Sequence, residues 1–233
     1  MKNPIIKHLR FVITLCFTLS FTALWGCMED DSIAPGMGRI KFEVSTTSGK
    51  TKSVSGRILA ANTLTFHSGK IVIREVVFDG DTGGQSVSRT IEQIATIDYS
   101  TGKVTPEIYV QVPAGEYTSV NLGVELQDEN SKPSVIIEGT FVNSQNKSIP
   151  VRFEFNSGEV FEADAARVTI HEGADIVGKI TFDAIDWFSV VSASELEDAT
   201  LTNGVIVISE TKNSDIFDKV ADRLDVATQA VFQ

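Results

Sequence analysis

The chain has 233 residues, 42% of them hydrophobic, and its 31 Asp and Glu against 20 Lys and Arg give a net charge of −11. That acidity, with no clustered basic patch, argues against nucleic acid or bare anionic lipid as a partner. The only cysteines are Cys16 and Cys27, both near the N-terminus, so stability has to come from a buried core, which a chain of this length can form as a single domain.

The chain opens with Lys2, Lys7 and Arg10, has no acid before Glu29, and carries an apolar run from Phe11 to Ala23 broken by Thr14, Thr18, Ser20 and Thr22. A membrane-spanning helix needs about 20 predominantly apolar residues, whereas an export signal has an apolar stretch of about 7 to 15 after a positive start. The spacing therefore predicts a signal over residues 1–26, closed by Leu24, Trp25, Gly26 and Cys27.

Leu24 and Gly26 ahead of Cys27 resemble the lipobox of bacterial lipoproteins, although Trp25 stands where a small residue is usual. The resemblance implies cleavage before Cys27 and acylation of its thiol, so the partner is a membrane reached through acyl chains. Two lipid signals anchor stably where one binds only marginally. Cleavage leaves 17 Lys and Arg against 31 Asp and Glu, a net charge of −14. It also leaves no free thiol for a disulfide, a zinc site or a nucleophile.

Residues 27–38 read as a flexible acidic tether with Pro35, Gly36 and Gly38 and no apolar period. Met28 is not the aspartate that retains lipoproteins at the inner membrane in many Gram-negative systems. Glu29-Asp30-Asp31 resembles the acidic export tag of surface lipoproteins. Together they imply an outer-membrane lipid anchor, with the body on the cell surface or otherwise at the periplasmic face. Asp31-Ser32-Ile33 also resembles an O-glycan acceptor pattern.

From Arg39 onward the apolar residues recur every second position. Ile40, Phe42 and Val44 alternate with polar residues, as do Val120, Leu122, Val124 and Leu126, and Ile149, Val151, Phe153 and Phe155. Each run predicts a strand with one buried face. Further strands are expected at 64–66, 71–78, 87–97, 108–112, 135–142, 168–171, 176–182 and 205–209. Turn chemistry stands between them at Ser68-Gly69, Asp79-Gly80-Asp81, Thr101-Gly102, Pro113-Ala114-Gly115, Asn143 to Asn146, Ser157-Gly158, Glu172-Gly173 and Asn203-Gly204. About ten short strands, with no helix expected before residue 192, predict a mainly β protein: an antiparallel β-sandwich over 39–191.

Residues 192–233 read as helix, strand and helix packed on the sandwich. Ser192 with Glu195, and the overlapping Ser194 with Glu197, fit a capping box at the start of a short helix. After the strand, Asn213 or Ser214 can cap a C-terminal α-helix whose apolar residues Ile216, Phe217, Val220, Leu224, Ala227 and Val231 follow helical spacing. Asp215 suits the positive end of its dipole.

Catalytic chemistry finds little footing. Past the signal the histidines are His67 and His171, and no Gly-x-Ser-x-Gly, His-Glu-x-x-His or phosphate-cradling loop occurs. Asp183 and Asp186 form a carboxylate pair of the kind that flanks a sugar bond, but such pairs arise by chance in so acidic a chain. Asp79 and Asp81 are candidate metal ligands because Asp79-Gly-Asp81 begins like a calcium loop. Gly83 and Thr90 then occupy ligand positions, which excludes a full loop of that type. Trp187 and Phe188 are candidate ligand-binding residues, as a platform for stacking a sugar; the simpler reading puts them in the core.

The tether, the Val112-Pro-Ala-Gly-Glu-Tyr117 turn, the Ile180-Thr-Phe-Asp-Ala184 segment and Trp187-Phe188 resemble the uncharacterised β-sandwich lipoproteins of Gram-negative surfaces. In that family the Pro-Ala-Gly-x-Tyr element shapes a hairpin. More distantly the chain resembles fimbrillin-type subunits, which polymerise by strand exchange after cleavage at an arginine, a role open to Arg39 or Arg57. These resemblances imply a lipid-anchored cell-envelope protein with a non-catalytic binding or structural sandwich, no cofactor, and a protein or glycan partner at the cell surface. The alternatives are a fimbrial or adhesin subunit assembling by strand exchange and a lipid-anchored hydrolase.

Overall fold

Alternating burial shapes the molecule from its first strand, β1 (Met37–Thr46), where Ile40, Phe42 and Val44 are buried and their neighbours half-exposed. The structure, a computed structural model, describes residues 32–53, 61–128, 131–165, 167–224 and 229–233. Within the unit Ile33–Gln233 the strands that follow are β2 (Thr51–Ser53), β3 (Thr63–Thr82), β4 (Gln85–Asp98), β5 (Val104–Thr105), β6 (Ile108–Pro113), β7 (Gly115–Leu126), β8 (Val135–Val142) and β9 (Ser148–Phe155). The chain continues through β10 (Val160–Ala165), β11 (Val168–Ile170), β12 (Asp175–Phe182), α1 (Ala184–Trp187), a 3-10 turn at Phe188–Val190, and α2 (Ala193–Glu197). It ends with β13 (Leu201–Thr202), β14 (Val205–Ile208), α3 (Ser214–Ala221) and β15 (Gln229–Phe232).

The strands form two sheets. The smaller has the order β15-β12-β1-β6; the larger runs β10-β7-β3-β8-β9-β14-β13, with β4 also on β3, β11 on β7, β2 on β3 and β5 on β4. Edge meets edge where β10 lies against β15 and β4 against β6. The two sheets are close-packed: a Cβ added at Gly178 of β12 would stand 3.3 Å from Leu122 of β7. This is the mainly β sandwich the alternation predicts, but two of its pairings, β1 with β12 and β14 with β9, are parallel.

β3 joins the halves. The sequence predicts two strands separated by a Ser68-Gly69 turn, yet one strand of 20 residues runs through that point. Bulges at Phe66/Ser68 and Ile73/Glu75 shift the register, so the buried set passes from Leu64 and Phe66 to Ile71 and Ile73 and then to Val76 and Phe78. One extra residue per bulge bends the strand while returning its apolar side chains to the core. Gly69 is required there: its φ is 142°, and a Cβ would fall 2.1 Å from the Ile136 carbonyl oxygen.

Two more expected turns behave differently. Asp79-Gly80-Asp81 stays in β3, and the hairpin closes at Gly83-Gly84, both with positive φ, as a tight right-twisting turn prefers. Pro113-Ala114-Gly115 is no hairpin: it carries the chain from β6 in the small sheet to β7 in the large one. The Tyr117 hydroxyl fastens that crossing by donating to the Pro113 carbonyl at 2.8 Å.

The half of the large sheet that continues through β8, β9 and β14 is covered by the short helices. Phe188 packs on Phe66 (4.8 Å between centroids) and Phe153 (5.6 Å), while Phe217 of α3 lies 6.1 Å from Phe153. The expected C-terminal helix is present but shorter than its apolar spacing predicts. It ends at Ala221, and Val231 belongs to β15; Ala227 lies outside the described residues. Asp222 at the helix C-cap opposes the dipole's negative end, and the unpaired edge of β12 instead gains a strand.

Candidate functional site

A connected polar network covers the outer face of the small sheet, whose outward side chains come from alternate positions of β1, β6 and β12. The Arg39 Nε donates to Asp175 Oδ1 at 2.6 Å, and its guanidinium carbon sits 4.7 Å from the centre of the Tyr109 ring. Tyr109 donates its hydroxyl to Glu107 at 2.6 Å. Lys41 reaches Glu107 at 3.0 Å and Glu43 at 3.6 Å, and Lys179 reaches the other oxygen of Glu43 at 3.5 Å. The Tyr109 hydroxyl, then Lys41, hold the Glu107 carboxyl below its ordinary range, and Glu107 in turn raises the Lys41 ammonium.

At the end of this face lies an open groove of about 360 Å³, in which Lys41, Lys103 and Lys179 meet Glu43 and Glu107. One wall is the turn after β4. Asp98 accepts there from the amides of Ser100 (2.8 Å) and Thr101 (3.1 Å), and Gly102 has a φ of 72° with room for no Cβ, the Val44 carbonyl oxygen being 2.4 Å from where one would stand. Such a groove offers charge and hydrogen bonds to a polar ligand. Alternation placed these residues outward, but only the parallel pairing of β1 with β12 brings Lys179 beside Glu43, and sequence spacing carries no signal for that.

Leu24, Gly26 and Cys27, with the segment 1–26, lie outside the described residues, as does Arg57. Of the tether, Met37 and Gly38 already belong to β1. Trp187 and Phe188 are buried, at 0% and 1% exposure, so neither offers a stacking face; Trp187 instead packs against Phe161 and Phe182. Asp79 and Asp81 sit on the outer face of β3, beside a shallow depression of about 230 Å³ shared with Ser86, Ser88, Ser119 and Asn121. The Ser86 hydroxyl donates to Asp81 at 2.6 Å, and among the described residues no three His, Cys, Asp or Glu gather as metal ligands. Asp183 and Asp186 are engaged structurally: Asp183 caps α1 and Asp186 pairs with Arg223 at 3.2 Å.

The histidines sit apart. His67 lies at the first bulge of β3, whereas His171 follows Ile170, which pairs with Gly115 beside Thr82 at the other end of that strand. If straight, the strand from His67 to Thr82 would span on the order of 50 Å, and its bulge at Ile73/Glu75 shortens that reach. His67 Nδ1 is 3.1 Å from the Ser68 hydroxyl, which lies 3.5 Å from Glu138. The serine stands between imidazole and carboxylate, so the acid does not orient the imidazole as a nucleophile-activating relay requires. Arg39, one of two arginines considered for strand-releasing cleavage, is in mid-sheet, paired through β1 with both β12 and β6.

Compared with known protein families, curated proteins and solved structures, the chain matches none.

Proposed function

We propose that the chain is a lipid-anchored protein of the bacterial outer membrane whose β-sandwich acts by binding or as a structural module, without catalysis. The observation that carries this reading is the basic, then apolar leader ending in Leu24, Gly26 and Cys27. It is supported by the position of the folded unit, which begins at Ile33. The covalent chain allows at most about 20 Å between Cys27 and Ile33. The acidic Glu29-Asp30-Asp31 favours the cell surface, where the groove beside Lys41 and Lys179 faces polar ligands such as glycans or proteins. Cells fed labelled palmitate should label the wild type and not Cys27→Ser, and added protease should digest the wild-type body on intact cells. Mass spectrometry recovering an unacylated chain that still begins at Met1 refutes the anchor.

A second reading, a fimbrial subunit assembling by strand exchange, is favoured by one observation. The N-terminal strand β1 lies between β12 and β6 and supplies Ile40, Phe42 and Val44 to the core, so its release would open a slot for a donated strand. Arg57, which follows β1 and β2, is the arginine for that cleavage. Trypsin-treated protein should then form polymers whose subunits begin after Arg57, and a monomeric product counts against it.

A further inference from the structure

The charge of the groove beside β1 runs against the charge of the chain. The sequence as a whole stands at −11, yet three lysines, Lys41, Lys103 and Lys179, meet only two glutamates, Glu43 and Glu107, along the groove. Four of these five pair with one another: Lys41 bridges Glu107 and Glu43, and Lys179 shares Glu43. Lys103 is exposed and belongs to no ion pair among the described residues. The Glu107 carboxyl is lowered by the Tyr109 hydroxyl first, by Lys41 next and by Lys103 last, so the surplus positive charge sits on a residue near the network but outside it.

The backbone that carries Lys103 is fixed. Its carbonyl accepts from the Asp98 amide at 2.9 Å, the Gly102 amide donates to the Asp98 carbonyl at 2.8 Å, and Gly102 packs on the Val44 carbonyl. Lys41 and Lys179 stand on the paired strands β1 and β12. Groups held in place before a ligand arrives lose little freedom on binding it.

The groove also limits what it can hold. Its volume of about 360 Å³ is at the small end of ligand sites, which run ~300–1,000 Å³. Phe42, Val44 and Val104 are buried, at 1%, 7% and 7% exposure, and offer no slot to an acyl chain or an apolar side chain. Hydroxyl groups donate and accept at once, so they suit a surface on which ammoniums alternate with carboxylates. One surplus ammonium asks for one negative charge, and a lysine selects that charge more than its shape, having no planar fork. An acidic peptide would instead set further carboxylates against Glu43 and Glu107.

We propose that this groove binds a short saccharide bearing one carboxylate, a uronic acid unit, with Lys103 taking the carboxylate and the Lys41, Glu43 and Lys179 network taking hydroxyls. The inference rests on the binding form of the reading above and deepens it. It is read from a different experiment than the anchor is, so its failure would leave acylation of Cys27 untouched.

The test titrates the full chain, in non-ionic detergent, with a disaccharide of one neutral sugar and one uronic acid, followed by calorimetry. The acidic disaccharide should bind, and more weakly as salt is raised. Its carboxyl-reduced form should bind at least about tenfold more weakly, and Lys103→Gln should bring the acidic form down to the level of the reduced one. Lys103→Arg, which keeps the charge, should bind the acidic form within about threefold of the wild type. Equal binding of the two sugars, an unchanged affinity in a folded Lys103→Gln, or no binding of the acidic sugar up to about 10 mM overturns the proposal. So does tighter binding of an oligoglutamate peptide, which would make an acidic protein segment the occupant.

Discussion

Trp187 fills the space between the sheets with its ring against Phe161 and Phe182, yet its indole Nε1–H, buried, has no acceptor. An unsatisfied buried donor costs about 1–3 kcal/mol, so the ring's packing outweighs a defect it carries. Trp187→Phe, which removes the donor and keeps most of the contact, should cost under about 1.5 kcal/mol in urea unfolding, whereas Trp187→Ala should cost about 3–5 kcal/mol. Glu125 makes the opposite case. Because burial and Glu75 favour its protonated form, the folded chain holds this proton more tightly than the unfolded one. Stability is therefore lost as pH rises past the ordinary glutamate value of about 4.3. Glu125→Gln should raise the melting temperature at pH 7, and the gain should vanish below about pH 4; no gain at neutral pH would mean that Arg74, 3.7 Å away, already neutralises that carboxylate.

Short elements hold where several weak terms agree. α2 has only five residues, Ala193–Glu197, but Ser192 accepts from the Glu195 amide and Glu195 accepts from the Ser192 amide, closing a capping box, and Leu196 is buried beneath. Lys219 of α3 first, and then Ser192, hold the Glu195 carboxyl at about 2. Its contribution is present above about 4.3 and lost as pH falls toward the folded value. Ser192→Ala should cost about 1 kcal/mol at pH 7, and Glu195→Gln should be destabilising at pH 7 and neutral near pH 2, both read from denaturation midpoints. The second box, Ser194 with Glu197, does not form, since Glu197 turns away to accept from the Ser144 amide at 2.7 Å. Asn213 occupies the N-cap position of α3 without capping it; its side chain bridges Thr200 and the Val207 carbonyl instead. Local sequence shows that a polar residue has local partners within reach, but a tertiary neighbour decides between them.

Across the whole molecule, the last strand closes what the first begins. β15 covers the outer edge of β12, Gln233 exchanges backbone bonds with Val177 at 2.8 and 3.0 Å, and Phe232 packs against the core. Deleting residues 229–233 should lower the melting temperature and promote association, because it opens the edge of β12; an unchanged, monomeric protein in sedimentation would show that edge to be harmless. The amino-acid order by itself determined which side of each strand faces the core and where the chain turns at Asn143, Asn203 and Gly173, since these depend on neighbours two to four positions apart. Only the tertiary structure decided that β1 lies parallel to β12, that β3 runs unbroken through two bulges, that Trp187 is enclosed, and that the last residues form a strand rather than a helix. Those outcomes rest on contacts between segments far apart in the chain, where the need to pair an open backbone edge and fill a shared core outweighs local preference.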